Sequence, residues 1–142
     1  MKAISFRSLT YACLIYALAI LPCCTSDENV IPKPEIFVNL QNSWAEGFFG
    51  FVRGVDSSLF ILGIYANINN GWYNLPDLIS PSTEIMTDGS WTCSMALDPD
   101  DSVSEIAIYL LPAGYLPPTL EGEPKIPLEL NLVAAVKKNI TF

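Results

Sequence analysis

The chain has 142 residues, a formal charge of −8, 15% charged and 51% hydrophobic side chains, and no histidine. So apolar a chain is not wholly disordered, and its acidic balance argues against a nucleic-acid partner, because phosphate binding needs a basic face. The missing histidine removes the commonest general base and the commonest transition-metal ligand.

Lys2 and Arg7 precede an apolar run over residues 9–21 (LTYACLIYALAIL). A bilayer span needs about 20 apolar residues, so this 13-residue run suits a secretory signal core better. Leu21-Pro22-Cys23-Cys24 follows, then the polar Thr25-Ser26-Asp27-Glu28. This segment resembles a bacterial lipoprotein signal, with a branched apolar residue three places before the lipidated cysteine and a small residue just before it. Leu21 and Cys23 fill those places for Cys24. The resemblance implies loss of residues 1–23 and an acylated Cys24, whose chains hold a membrane at about 0.8 kcal/mol per buried CH₂. The plainer alternative is an ordinary cleaved secretory peptide.

Thr25 stands where an aspartate would signal retention at the inner membrane. Ser26-Asp27-Glu28 is similar to the acidic tether that sends some Gram-negative lipoproteins to the cell surface. The expected location is therefore the outer membrane, exposed at the surface. Removing residues 1–23 leaves 119 residues, one domain's worth, and loss of Lys2 and Arg7 takes the charge from −8 to −10. Of the four cysteines, Cys13 and Cys23 leave with the signal and Cys24 carries lipid, so Cys93 has no disulfide partner. Between Trp91 and Met95 at alternate positions, Cys93 reads as a buried hydrophobe, and no histidine is present to activate it as a nucleophile.

Residues 24–34 carry Pro32 and Pro34 and read as anchor and tether; residues 35–142 read as one β domain. Residues 35–40 alternate Ile36, Val38 and Leu40. Residues 47–54 (GFFGFVRG) put Phe49 and Phe51 on one face and Phe48 and Val52 on the other. Residues 59–66 (LFILGIYA) are apolar on both faces, as in a central strand. An Asn-rich turn over 67–71 leads to Trp72 and Tyr73, and 84–86 is a short strand. Asp88-Gly89 signals a hairpin into 90–97, where Trp91, Cys93, Met95 and Leu97 share a face. Residues 103–111 form another strand. The prolines from Pro112 to Pro127 argue for a long ordered loop, with one helical turn at 128–133. Residues 134–142 close the domain as an edge strand protected by Lys137 and Lys138. The expected fold is an all-β, immunoglobulin-like sandwich of about seven or eight strands.

Phe51-Val-Arg-Gly54, the apolar stretch 61–65, Gly71-Trp-Tyr73, Thr87-Asp-Gly-Ser-Trp-Thr-Cys93 and the 106–115 segment with Pro117-Pro118 occur in that order. Together they resemble a bacterial extracellular β-sandwich module found alone or attached to secreted glycoside hydrolases. The resemblance covers about residues 47–142 and implies an accessory or binding role without chemistry of its own.

Trp72 and Tyr73 are the sharpest candidates for ligand contact, since flat aromatic rings stack on the C–H faces of sugars. Asn70, Asn74 and Asp77, with Asn69, stand near enough in sequence to meet hydroxyl groups. Adjacent strand residues face opposite ways, so Trp72 reads more readily as core, while Tyr73 fits either an exposed position or a cover over a loop. Trp91 reads as core; Trp44 and Tyr115 fit either role. Asp98-Pro-Asp-Asp101 holds three carboxylates in a loop, but without the glycine and spaced glutamate of a calcium loop it reads as a solvated turn. No nucleophile elbow, phosphate loop or cysteine metal pair occurs, so neither enzyme, metal nor cofactor is expected. The expected function is a lipid-anchored, non-catalytic binding module, with a polysaccharide as ligand. The alternative is a structural or assembly subunit that meets an envelope protein through an open strand edge.

Overall fold

A computed structural model of the chain describes residues 32–39, 47–76, 80–95 and 97–142. The expected signal over 1–23, the expected lipid attachment at Cys24, Trp44 and Asp77 lie outside the described residues. Residues 31–142 form one compact unit. Its strands are β1 (Glu35–Asn39), β2 (Phe48–Arg53), β3 (Phe60–Ile68), β4 (Gly71–Leu75), β5 (Thr83–Glu84), β6 (Ser90–Cys93), β7 (Val103–Pro112), β8 (Glu121–Glu123) and β9 (Val136–Thr141). One short helix, α1 (Glu129–Val133), precedes β9. Among the described residues no helix is long and apolar enough to cross a membrane.

The strands form two antiparallel sheets, β1-β2-β6 and β8-β4-β3-β7-β9, with β5 added to one end of β3. The chain passes between sheets from β2 to β3, from β5 to β6 and from β6 to β7, the Greek-key connection of immunoglobulin-like sandwiches. The all-β sandwich expected from the alternating pattern is the fold observed. The described residues hold nine strands rather than seven or eight, because the proline-rich stretch read as loop contributes β8, paired with β4.

The main core lies between the sheets. Ile36, Phe48, Val52, Trp91, Cys93 and Met95 of the smaller sheet and its continuation meet Leu62, Ile64, Ala66, Ile106, Ile108 and Leu110 of the larger. Each large aliphatic or aromatic side chain so buried contributes about 1.5–3 kcal/mol. Trp91 packs edge-on to Phe48, centroids 5.8 Å apart at 89°. It lies across Gly50, its register partner on β2. β6 ends at Cys93, short of the expected 97, yet Met95 keeps its place in the core at 2% exposure.

A second core covers the outer side of the larger sheet. The connection from β7 to β9, with its prolines, β8 and α1, folds back over that face. Leu120 and Leu130 thereby close on Tyr65, Trp72, Tyr109 and Leu111. This layer explains why β3 is apolar on both faces. Leu62, Ile64 and Ala66 point between the sheets, and Tyr65 points under the crossover, where it meets Tyr109 edge-on at 5.9 Å. Trp72 is therefore core, as its alternation with Tyr73 suggested, but in this outer layer rather than between the sheets.

Candidate functional site

The β3–β4 hairpin turns through Asn69 and Asn70, both at positive φ (51° and 71°). Two consecutive left-handed residues make the tight turn whose twist matches the strands, and asparagine tolerates that conformation better than most residues. The turn fixes the register Asn67↔Trp72, Ala66↔Tyr73 and Tyr65↔Asn74. Tyr73 therefore shares the face of Ala66. The Tyr73 ring lies against Gly122 of β8 on one side and stays 37% exposed.

A surface depression of about 320 Å³ opens beside it, lined by Ile68, Asn69, Tyr73, Asn74, Leu75, Pro76 and Asp101. That size lies at the small end of ligand pockets, about 300–1,000 Å³. Its polar wall is built by two loops distant in sequence. The Asn69 amide donates to Asp101 at 2.9 Å and its oxygen accepts from the Ser102 N–H at 3.1 Å. The other Asp101 oxygen accepts from the Asp98 N–H at 2.9 Å. Each group keeps spare capacity: the amide has a second N–H, and every oxygen a second lone pair. A rigid, oriented donor and acceptor beside a half-open phenol ring can meet hydroxyls while the ring covers an apolar face.

The five residues proposed from the sequence separate accordingly. Tyr73 is exposed in the depression. Asn70 is exposed at the hairpin tip but does not line it. Trp72, at 9% exposure, lies under the crossover and presents no ring to solvent. Asn74 is 4% exposed, and its polar atoms bond the crossover, its amide donating to the Pro118 carbonyl at 3.2 Å. Burial thus removes Trp72 and Asn74 as stacking and hydroxyl contacts: strand alternation and the outer layer turn both side chains inward. Asp77 lies outside the described residues. Pro76 and Asp101 are members of the depression that were not grouped with Tyr73 from the sequence. Pro76 follows Tyr73 closely, but only the tertiary fold brings Asp101 there.

Elsewhere the chemistry is structural. Burial pushes the Cys93 thiol up to about 12, the behaviour of an inert core residue. Burial likewise raises the Tyr65 phenol, whose hydroxyl donates to the Pro118 carbonyl at 3.0 Å. Asp56 and Asp88 are lowered by hydrogen bonds from Ser58 and Ser90, each organising its own turn. Among the described residues no three His, Cys, Asp or Glu side chains cluster as a metal site.

A second exposed surface is aromatic. On the outer face of the smaller sheet Phe37 pairs with Phe51 across β1 and β2, and Phe49 lies two residues along. Phe37, Phe49 and Phe51 are 38%, 37% and 46% exposed. The Arg53 guanidinium stands 5.0 Å from the centre of the Phe37 ring.

No protein-family model, curated protein or solved structure matches the chain.

Proposed function

We propose that the chain is a lipid-anchored, non-catalytic binding module of the bacterial outer membrane, exposed at the cell surface, whose ligand is carbohydrate. Acylation of Cys24 and a short tether would hold the domain at the membrane. The observation that carries the ligand class is the half-open Tyr73 ring beside the oriented Asn69–Asp101 pair. A phenol face covers the C–H side of one sugar ring, while the amide and carboxylate take its hydroxyls. The ordered motifs shared with the extracellular module support a role outside the cell without chemistry of its own.

The test is a glycan array followed by calorimetry with the full chain in detergent. Tyr73→Ala is expected to abolish binding while circular dichroism shows the fold retained. Binding indifferent to that substitution, or no glycan bound at all, overturns the assignment.

A further inference from the structure

The larger sheet ends at β9 and the smaller one at β1; neither is hydrogen-bonded to a further strand among the described residues, and the two approach each other to within 8 Å between Cα atoms. A depression of about 340 Å³ runs between these two edges, lined by Lys33, Pro34, Glu35, Ile36, Val136, Lys137 and Lys138. Ile36 and Val136 give it an apolar floor, since both pack against the main core. The described residues hold only five cationic side chains, Lys33, Arg53, Lys125, Lys137 and Lys138, and three of these line the cleft. The single carboxylate on the lining, Glu35, lies opposite Arg53 in the β1–β2 register. In a chain with 15 acidic residues against 7 basic ones, this cleft is a local reversal of charge.

The edge of β9 has backbone groups to offer. The Phe142 N–H donates to the Ser104 carbonyl at 3.1 Å, and the β7–β9 register continues without a shift from Glu105↔Thr141 to Leu110↔Val136. Ladder bonds alternate in an antiparallel pair, so the N–H and C=O groups of Lys137, Asn139 and Thr141 point away from β7.

We propose that the cleft between β1 and β9 receives an acidic, extended segment of a partner protein, which adds as a strand to the free edge of β9. Strand addition supplies affinity through the backbone. Side chains of the added strand alternate faces: an aliphatic one meets the floor on the side of Val136 and Lys138, and carboxylates on the other side meet Lys137, whose ammonium stands 5.1 Å from the centre of the Tyr109 ring. The same lysines repel basic edges and disfavour apolar ones, so they guard against self-association while selecting the acidic partner. An acidic polysaccharide would satisfy the lysines but could not use the backbone ladder. The site is independent of the Tyr73 depression, because β3 and β7 separate β4 from β9 in the sheet.

The experiment uses the full chain in detergent and three fluorescent probes: a short peptide alternating glutamate and valine, its lysine–valine counterpart, and polygalacturonate. The glutamate peptide should bind saturably and protect the amides of Lys137, Asn139 and Thr141 from hydrogen exchange. Lys137→Glu with Lys138→Glu should weaken it by about tenfold or more. Both positions are exposed, but Lys137 stands over the Tyr109 ring, so Lys138→Glu alone should hold the melting temperature and the double variant is checked for a retained fold by circular dichroism. Equal binding of the lysine peptide, undiminished binding to the double variant, binding of polygalacturonate alone, or no binding overturns the proposal.

Discussion

Asn74 holds Leu120 as a neighbouring strand would. The Asn74 backbone N–H donates to the Leu120 carbonyl at 3.3 Å, and the Leu120 N–H donates back to the Asn74 side-chain oxygen. The Asn74 amide then donates to the Pro118 carbonyl at 3.2 Å, which also accepts from the Tyr65 hydroxyl at 3.0 Å. One side chain thus completes the hydrogen bonding of a proline-rich segment that lacks the donors for an ordinary ladder. The segment is thereby fixed over the outer core.

Asn74→Ala should leave the Leu120 N–H without its partner. A buried donor so orphaned costs about 1–3 kcal/mol. Urea denaturation should show that loss, and hydrogen exchange at Leu120 should quicken more than at core amides such as Ile108. Unchanged exchange at Leu120 would mean that apolar packing alone secures the crossover.

Gly50 lies against Trp91, and a Cβ there would come within 2.6 Å of the indole, and nearer still to the Phe37 carbonyl oxygen. Gly50→Ala must therefore move the ring or separate β1 from β2. Overpacking of this kind costs about 1–3 kcal/mol. The expected outcome is a lower melting temperature with an altered tryptophan near-ultraviolet signal. An unaltered signal at full stability would contradict the close approach.

Cys93 should resist thiol reagents in the folded protein at pH 8 and react on unfolding. Its thiol titrates at about 12 in the fold against an ordinary 9.0. Below pH 9 both states keep the proton and the group adds no pH dependence. Between those values the unfolded chain loses the proton and the folded chain keeps it, so stability falls as pH rises. Cys93→Ala should flatten this alkaline slope while lowering stability at neutral pH through the cavity it leaves. A slope unaffected by the substitution would assign the alkaline loss to other groups.

Much of the sandwich was legible because alternation encodes it. Ile36 and Val38, Phe48 and Val52, and Trp91, Cys93 and Met95 all turn inward as their spacing required. Asp88-Gly89 marked its hairpin, with Gly89 at φ 84° and Asp88 accepting from Ser90. The helical turn and the final edge strand also fell where composition placed them. β8 was not legible: Glu121–Glu123 is polar and exposed, and only its pairing with β4 makes it a strand.

The candidate site was less legible, because period-two alternation shows which residues share a face and not what covers that face. Trp72 and Asn74 have the composition of a sugar contact, and the crossover spends both on packing. Tyr73 and Asp101 are 28 positions apart in the sequence, and no local pattern announces that they share a depression.

By itself the sequence determined the strands, their inward faces and the inert burial of Cys93. These follow from local chemistry: side-chain periodicity, turn residues and apolarity act over a few neighbouring positions. Only the tertiary structure decided that residues 113–135 form a third layer, that Tyr73 meets solvent, and that three lysines converge between β1 and β9. Such outcomes depend on which distant segments compete for the same apolar surface. That competition is resolved by packing the whole chain at once.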